Sequence, residues 1–150
     1  MNTVIRPAAP TDARECIRIR GLTRENPVSE ARLRSLDITP DSLAKDIGAG
    51  ALLGFVCAEG RRIIGYCFGR AATGEVVVLA VIASHEGNGV GSKLLREVVS
   101  QLQNLGHRRL FLGCSTDPGV RSHGFYRHLG WRSTGTFDSN RDEILELLFP

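Results

Sequence analysis

The chain has 150 residues, of which 42% are apolar and 23% charged, and its formal net charge is +3. This length is that of one ordinary domain with a core of its own, so we treat residues 1–150 as a single domain. The composition excludes disordered and collagen-like chains. The mild charge lacks the clustered basic face of nucleic-acid binders, so we expect no nucleic-acid partner.

The cysteines and the apolar runs bear on location and on metals. Four cysteines lie in apolar runs without the short spacing of metal ligands: Cys16, Cys57, Cys67 and Cys114. This pattern favours reduced, buried thiols and no metal site. No apolar run approaches membrane-spanning length, and the N-terminus shows no apolar leader. We therefore expect a cytoplasmic protein that does not bind a membrane.

The first half of the chain alternates a short strand with capped helices and then a hairpin. Thr11 and the pair Thr39-Pro40 are typical of helix starts, and Glu59-Gly60-Arg61 is typical of a hairpin turn. The predicted elements are a strand from Val4, a helix from Thr11 to about Leu22, a helix from Thr39 to about Ile47, and strands Ala51–Ala58 and Arg62–Arg70.

The second half is organised around a β-branched apolar strand and an amphipathic helix. Apolar residues at three- and four-residue steps predict that helix, which begins near Gly89 or Val90 and ends at Gly106. The other predicted elements are a strand over residues 75–83, a strand Arg109–Cys114, a helix Val120–Leu129, and an antiparallel pair Trp131–Phe137 and Glu143–Phe149. This order predicts an α/β fold with a central mixed β-sheet and helices on both faces.

Three alternating glycines, Gly87, Gly89 and Gly91, join the apolar strand to the amphipathic helix. Glycine turns at a helix N-terminus direct amide hydrogens at one spot, which makes an anion site suited to phosphate. A P-loop requires Lys-Ser/Thr after its last glycine, whereas Ser92-Lys93 has the reverse order. A dinucleotide fingerprint requires glycine at position 92 and follows a first strand, not a fourth.

Two separate motifs resemble the GNAT superfamily of acyl-CoA-dependent N-acetyltransferases. The family's Arg/Gln-x-x-Gly-x-Gly/Ala signature is similar to Glu86-Gly-Asn-Gly89-Val-Gly91. Its aromatic-Tyr-x-x-x-Gly-aromatic signature is similar to Phe125-Tyr126-Arg-His-Leu-Gly130-Trp131. The separation of the motifs and the order of the elements agree with the family over essentially the whole chain.

The resemblance implies that acetyl-CoA lies along the central strand with its diphosphate at the glycine loop, and it implies no metal. Backbone groups of three strand residues would contact the pantetheine arm and the thioester: Leu79, Ala80 and Val81. The residues at the diphosphate would be Glu86, Gly87, Asn88, Gly89, Val90, Gly91 and Ser92.

The resemblance also implies two catalytic candidates. Tyr126 is the candidate general acid for the leaving thiolate, and the alternative is a helix tyrosine that packs on the sheet. Glu75 opens the central strand and is the candidate base, and the alternative is a solvated glutamate at a strand end. A carboxylate near an apolar cleft can have a raised pKa and accept the proton of an amine directly or through water.

The chain departs from the family pattern at two positions. Glu86 replaces a basic or amide residue, which is tolerable if its side chain turns outward, and Gly119 replaces a frequent asparagine. We expect an N-acetyltransferase for a primary amine. The Glu86 departure favours the alternative, a non-catalytic acyl-CoA-sensing module, and a binding protein for another phosphorylated ligand is a third reading.

The fold of the family places the acceptor between two charged segments, Gly21–Leu36 and Asp138–Asp142. A charged rim suits a small polar amine and a peptide N-terminus equally well. Pairing at a strand edge is compatible with a homodimer, as among the relatives that the sequence resembles.

Overall fold

The structure is a computed structural model that describes residues 2–25 and 27–150. Its elements follow the predicted order, and a further short helix, α2, lies in the segment between the first two predicted helices. The strands are β1 (Thr3–Pro7), β2 (Leu52–Glu59), β3 (Arg62–Arg70), β4 (Val76–Val81), β5 (Arg109–Cys114), β6 (Arg132–Phe137) and β7 (Glu143–Leu148). The helices are α1 (Ala13–Arg20), α2 (Glu30–Ser35), α3 (Pro40–Gly48), α4 (Val90–Asn104) and α5 (Arg121–His128).

The strands form two antiparallel sheets, one in the order β1-β2-β3-β4 and the other in the order β5-β7-β6. The sheets join where β4 begins, through a parallel bridge between Glu75 and Phe111. The predicted mixed α/β sheet is confirmed in this form, in which the parallel part is limited to the bridge.

Helices cover both faces of the first sheet. Successive residues of β3 point to opposite faces, so this strand contacts helices on both sides. A Cβ atom at Gly69 would lie 2.8 Å from side-chain atoms of both Val98 and Leu102, so α4 packs directly against the backbone of β3. Tyr66 points to the opposite face, where α1 contacts β3. The predicted placement of helices on both faces is therefore confirmed.

The cysteines lie in the core, as the apolar runs predict. All four are free and buried, and burial raises the pKa of the Cys16 thiol to about 12. Among residues 2–25 and 27–150, no group of three or more His, Cys, Asp or Glu side chains is placed to hold a metal ion. None of the helices in the same ranges has the length and apolar character needed to cross a membrane.

Asp12 fixes the start of α1 to the end of β1. Its carboxylate accepts hydrogen bonds from both terminal nitrogens of Arg6, at 2.8 and 3.0 Å, and from the backbone N–H of Ala9 at 2.7 Å. Asp12 is 8% exposed, a rare degree of burial for a carboxylate. The hydrogen bonds from Arg6 and Ala9 stabilise the charged form and lower the pKa of Asp12.

We predict that Asp12→Asn lowers the free energy of unfolding at pH 7 by about 1–2 kcal/mol, because charge-assisted hydrogen bonds are lost while Arg6 is partly exposed. The folded-state pKa of Asp12 is depressed, so its stabilisation is complete above the ordinary aspartate pKa near 4 and is lost as the pH falls through the folded-state value. Urea unfolding at pH 7 and pH 3 measures the difference, which should shrink at pH 3.

Asp41→Asn is the matched control, because Asp41 is an exposed carboxylate in the first turn of α3. Its loss should be about 0.5 kcal/mol or less. Equal losses for the two variants would contradict an anchoring role for Asp12.

Candidate active site

A cleft opens where β4 and β5 separate. The pairing of β4 with β3 passes from Phe68–Val78 to Gly69–Val76, so Val77 is an extra residue in a β-bulge. Bulges bend and twist a strand, and this one lies just past the bridge at Glu75. Beyond it, residues of both strands line a cleft of about 1010 Å³.

The edge of β4 that faces this cleft carries free backbone groups. The N–H of Ile82 donates to the carbonyl of Ile64 on β3 at 2.9 Å. This bond shows which residues of β4 direct their backbone groups to β3 and which direct them to the other side. The backbone groups of Ala80 therefore pair with β3, whereas those of Leu79 and Val81 point toward the cleft. Of the three predicted strand residues, two present their backbone to the cleft, and Ala80 lines it from a buried position.

The glycine loop leaves the first turn of α4 uncapped. Gly87 and Gly89 have φ of 81° and 79°, in the left-handed region that glycine adopts without steric cost. Gly89 is the N-cap of α4, and no side chain caps the helix. The first helical hydrogen bond runs from the N–H of Lys93 to the carbonyl of Gly89 at 3.1 Å. The preceding amides, including those of Gly91 and Ser92, thus have no helical partner.

This helix start faces the same cleft as the open strand edge. Gly87, Gly89, Val90, Gly91 and Ser92 all line the cleft. The uncapped amides and the dipole of a 15-residue helix favour an anion at this position.

Asn88 is placed differently from the other predicted loop residues. It lines a separate depression of about 350 Å³ together with Ser84 and Lys93. His85 borders both spaces, and its Nε2 lies 3.1 Å from the Glu59 carboxylate. The geometry brings the other predicted loop residues together in the cleft, and places Asn88 beside it.

The side chain of Glu86 does not turn outward, so its charge at the cleft is tolerated for another reason. Its side chain is 18% exposed, and Oε2 lies 3.3 Å from Nε of Arg24 and 3.1 Å from Nη1 of Arg121. These two guanidinium groups neutralise the carboxylate, which is the physical reason that it can stay at the cleft.

A second glutamate completes this charged group. An oxygen of the Glu25 carboxylate accepts a hydrogen bond from the backbone N–H of Arg121, the first residue of α5, at 2.9 Å. We call Arg24, Glu25, Glu86 and Arg121 the charged network. It joins the α1–α2 connection, the glycine loop and α5 at one end of the cleft. The two arginines could not be identified from the sequence as partners of Glu86, because no local pattern indicates contacts across 35 and 62 residues.

Tyr126 both packs in the core and lines the cleft. It is 8% exposed, and its ring contacts those of Phe125 and Trp131 edge-on, with centroids 5.1 and 6.0 Å apart. Burial raises the pKa of Tyr126. The phenol is therefore neutral throughout the physiological pH range.

Glu75 lies at the closed end of β4, beside the bridge to β5. Its side chain is 37% exposed, and Oε1 lies 3.7 Å from Nε of Arg70. Arg70 lines the cleft, as does Val76, which follows Glu75 in the chain. The four residue-to-residue steps from Glu75 to Leu79 would span about 13 Å of extended strand. The role of Glu75 as a base stays a prediction.

Carboxylates outnumber arginines around the cleft. The acidic residues that line it are Glu25, Asp37, Asp46, Glu86 and Asp142, and the arginines are Arg20, Arg70 and Arg121. Asp142 follows the β6–β7 turn, where Oδ1 of Asp138 accepts from the backbone N–H of Asn140 and Asp142 at 2.8 and 3.0 Å. Burial and the neighbouring Asp138 raise the pKa of Asp142. The cleft thus has an acidic rim.

The chain matches one family model, that of the acetyltransferase (GNAT) family, over residues 19–131. The match covers about three quarters of the chain and includes β4, the glycine loop and Tyr126. No curated protein sequence matches the chain.

Solved structures share the fold at low sequence identity. PaiA N-acetyltransferase from Thermoplasma acidophilum, in complex with coenzyme A, has a TM-score of 0.83 and 19% identity over 99% of this chain and 100% of that one. The ribosomal-protein-S18-alanine N-acetyltransferase from Escherichia coli has a TM-score of 0.69 and 17% identity, covering 99% and 94%. YncA from Salmonella typhimurium, with its cofactor acetyl-CoA, has a TM-score of 0.74 and 16% identity, covering 100% and 95%.

We predict that Gly89→Ala weakens the binding of coenzyme A about tenfold, because alanine at this φ is strained by roughly 1–2 kcal/mol and moves the amides of the loop. Isothermal titration calorimetry measures the affinity, and urea unfolding measures the accompanying loss of stability.

The chain offers a matched control in Gly106→Ala. Gly106 also has a positive φ, 99°, but lies beyond the C-terminal end of α4, where a Cβ atom would meet nothing within 4 Å. This variant should lose similar stability and keep the affinity for coenzyme A. An unchanged affinity in Gly89→Ala would contradict the assignment of the loop as the diphosphate site.

Proposed function

Because the chain belongs to the acetyltransferase (GNAT) family and is an acetyl-CoA-dependent acyltransferase, we propose that it transfers the acetyl group to a primary amine by direct attack in a ternary complex. One observation supports this most strongly: the open edge of β4 and the uncapped start of α4 face the same cleft. An anionic tail and a thioester arm require such sites in one continuous space.

The residues of this chain fit the cofactor at two places. Amides from Gly89 to Ser92 would bind the diphosphate, since they lack partners within the helix. The backbone groups of Leu79 and Val81 would hold the pantetheine arm by hydrogen bonds of the kind that a neighbouring strand makes. When bound, acetyl-CoA supplies the activated acetyl group as a thioester.

Tyr126 is proposed as the general acid. Its phenol lines the cleft in the neutral form, so its proton can go to the leaving thiolate. A thiol has an ordinary pKa near 8.5, below that of the phenol, so transfer of the phenol proton to the thiolate requires close contact with the sulfur. The ring contacts with Phe125 and Trp131 hold the phenol in one orientation.

Glu75 is proposed as the base through water. Its distance from Leu79 along the strand excludes direct contact with an amine held there. Glu75 is not among the residues that line the cleft, but its partner Arg70 is, so water beside that guanidinium would have to carry the proton between the amine and the carboxylate. The carboxylate would thus accept the proton that the amine loses.

The acidic rim supports a cationic acceptor. A primary amine arrives as an ammonium ion, and an excess of carboxylates raises its local concentration. Carboxylates of both segments that the family fold assigns to the acceptor line the cleft, Glu25 from one and Asp142 from the other. Small polar amines and peptide N-termini both satisfy this chemistry.

The function is tested by incubating the protein with acetyl-CoA and a panel of acceptors, read as release of free thiol. The panel contains monoamines, diamines and peptides with free N-termini, and N-blocked peptides without lysine are the controls. We expect thiol release that depends on a free amine. Tight binding of acetyl-CoA with no acceptor consumed across the panel would contradict the proposal and favour a non-catalytic sensing module.

We predict that Tyr126→Phe and Glu75→Gln each lower kcat by about 10²–10⁴, because each removes one proton-transfer group. Both variants should bind acetyl-CoA with unchanged affinity. The thiol-release assay with the best acceptor gives kcat, and calorimetry gives the affinity.

Tyr66→Phe is the control, because it removes the same hydroxyl from the other tyrosine that lines the cleft. It should keep kcat within about threefold. If Tyr126→Phe turned over as fast as this control, Tyr126 would have no role as the acid. Normal turnover in Glu75→Gln would likewise show that Glu75 is not the base.

A further inference from the structure

We propose that Arg24 and Arg121 form the second half of the diphosphate site, and that Glu86 holds this guanidinium pair at the cleft until the diphosphate replaces it as their partner. This inference rests on the proposed function. It assigns to two residues outside the glycine loop the positive charge that the family's signature places at position 86.

The Glu86 carboxylate contacts both arginines. One carboxylate oxygen lies within salt-bridge distance of both arginines, at 3.3 Å from Arg24 and 3.1 Å from Arg121. Glu86 immediately precedes Gly87 in the chain, and both residues line the cleft. Arg121 lines the cleft itself, and the contact with Glu86 holds the guanidinium group of Arg24 beside the same loop.

The charges around Glu86 determine whether a diphosphate is repelled from the loop. A carboxylate alone at this loop would repel a diphosphate, but the two arginines offset it, and the four residues of the charged network, Glu25 included, sum to zero. Arginine is also the side chain best suited to bind two phosphate oxygens at once, through parallel N–H groups. The charged network thus removes the net repulsion, and it supplies two guanidinium groups from side chains that are distant in sequence.

The side chains of Arg24 and Arg121 are exposed, and the backbone of Arg121 is anchored. The side chains of Arg24 and Arg121 are 58% and 50% exposed, so they can change partner without disrupting the core. The backbone N–H of Arg121 is bonded to Glu25. This bond fixes the start of α5, so only the Arg121 side chain has to move.

An exchange of partners follows from the charges. The diphosphate of coenzyme A carries two negative charges at neutral pH, against one on Glu86, so the arginines bind the diphosphate more strongly. Glu86 then competes with the cofactor for them. Removal of the Glu86 charge should therefore strengthen cofactor binding, although it breaks two ion pairs in the free protein.

The test compares the affinities of coenzyme A and pantetheine, which lacks the diphosphate, by calorimetry with displacement for the weaker ligand. Arg24→Gln and Arg121→Gln should each weaken coenzyme A about five- to tenfold, and the double variant at least about thirtyfold. The affinity for pantetheine should stay within about twofold in all variants. Glu86→Gln should bind coenzyme A about threefold more tightly.

Arg18→Gln is the control for loss of an exposed arginine, because Arg18 pairs with Glu15 on α1, away from the residues that line the cleft. It should bind coenzyme A as the parent protein does. Arg121→Lys keeps the charge but loses the parallel N–H groups, so it should weaken coenzyme A less than Arg121→Gln does; this comparison separates charge from folding if Arg121→Gln is unstable.

Three results would overturn the inference: an unchanged affinity in the double arginine variant, an equal loss for pantetheine, or weaker binding of coenzyme A by Glu86→Gln. In each of these cases a parent protein that still binds coenzyme A and acetylates amines would leave the proposed function intact. A parent protein that binds no coenzyme A would overturn both.

Discussion

The separation of β4 from β5 is the constraint on which the candidate site depends. The strands meet at the Glu75–Phe111 bridge, and the bulge at Val77 follows at once. Past that point the backbone groups of Leu79 and Val81 face the cleft and lack a neighbouring strand. Unpaired strand groups require a partner from solvent or from a ligand. The amide groups of the pantetheine arm proposed to lie there would satisfy them.

The glycine loop turns this open edge into a site for an anionic cofactor. It continues from the same end of β4, and its left-handed glycines start α4 without a side-chain cap. In the charged network the two arginines offset the carboxylates of Glu86 and Glu25. Backbone amides would thus provide the geometry of the proposed diphosphate site, and side chains from three segments its charge. Outside this network, the cleft is lined by Asp37, Asp46 and Asp142 and by Arg20 and Arg70, an excess of carboxylates that would suit a cationic acceptor.

The sequence predicts the parts of this site that depend on local patterns. Strand β4, the glycine loop and α4 follow from β-branched runs, helical spacing and the positive φ that glycine allows. What depends on contacts between distant segments is not predictable in this way. The split of the sheet, the direction of the Ala80 backbone and the position of Asn88 depend on strand register and on the path of the loop. The inward position of Glu86 depends on partners that lie 35 and 62 residues away in the chain.

Amide hydrogen exchange with and without coenzyme A tests the central claim most directly, since the uncapped amides of the loop are the proposed diphosphate ligands. Bound coenzyme A should slow exchange in the peptide that spans residues 87–92 and in the peptide that spans β4, whereas pantetheine should slow exchange in β4 alone. Saturation with coenzyme A that left exchange in residues 87–92 unchanged would contradict the account.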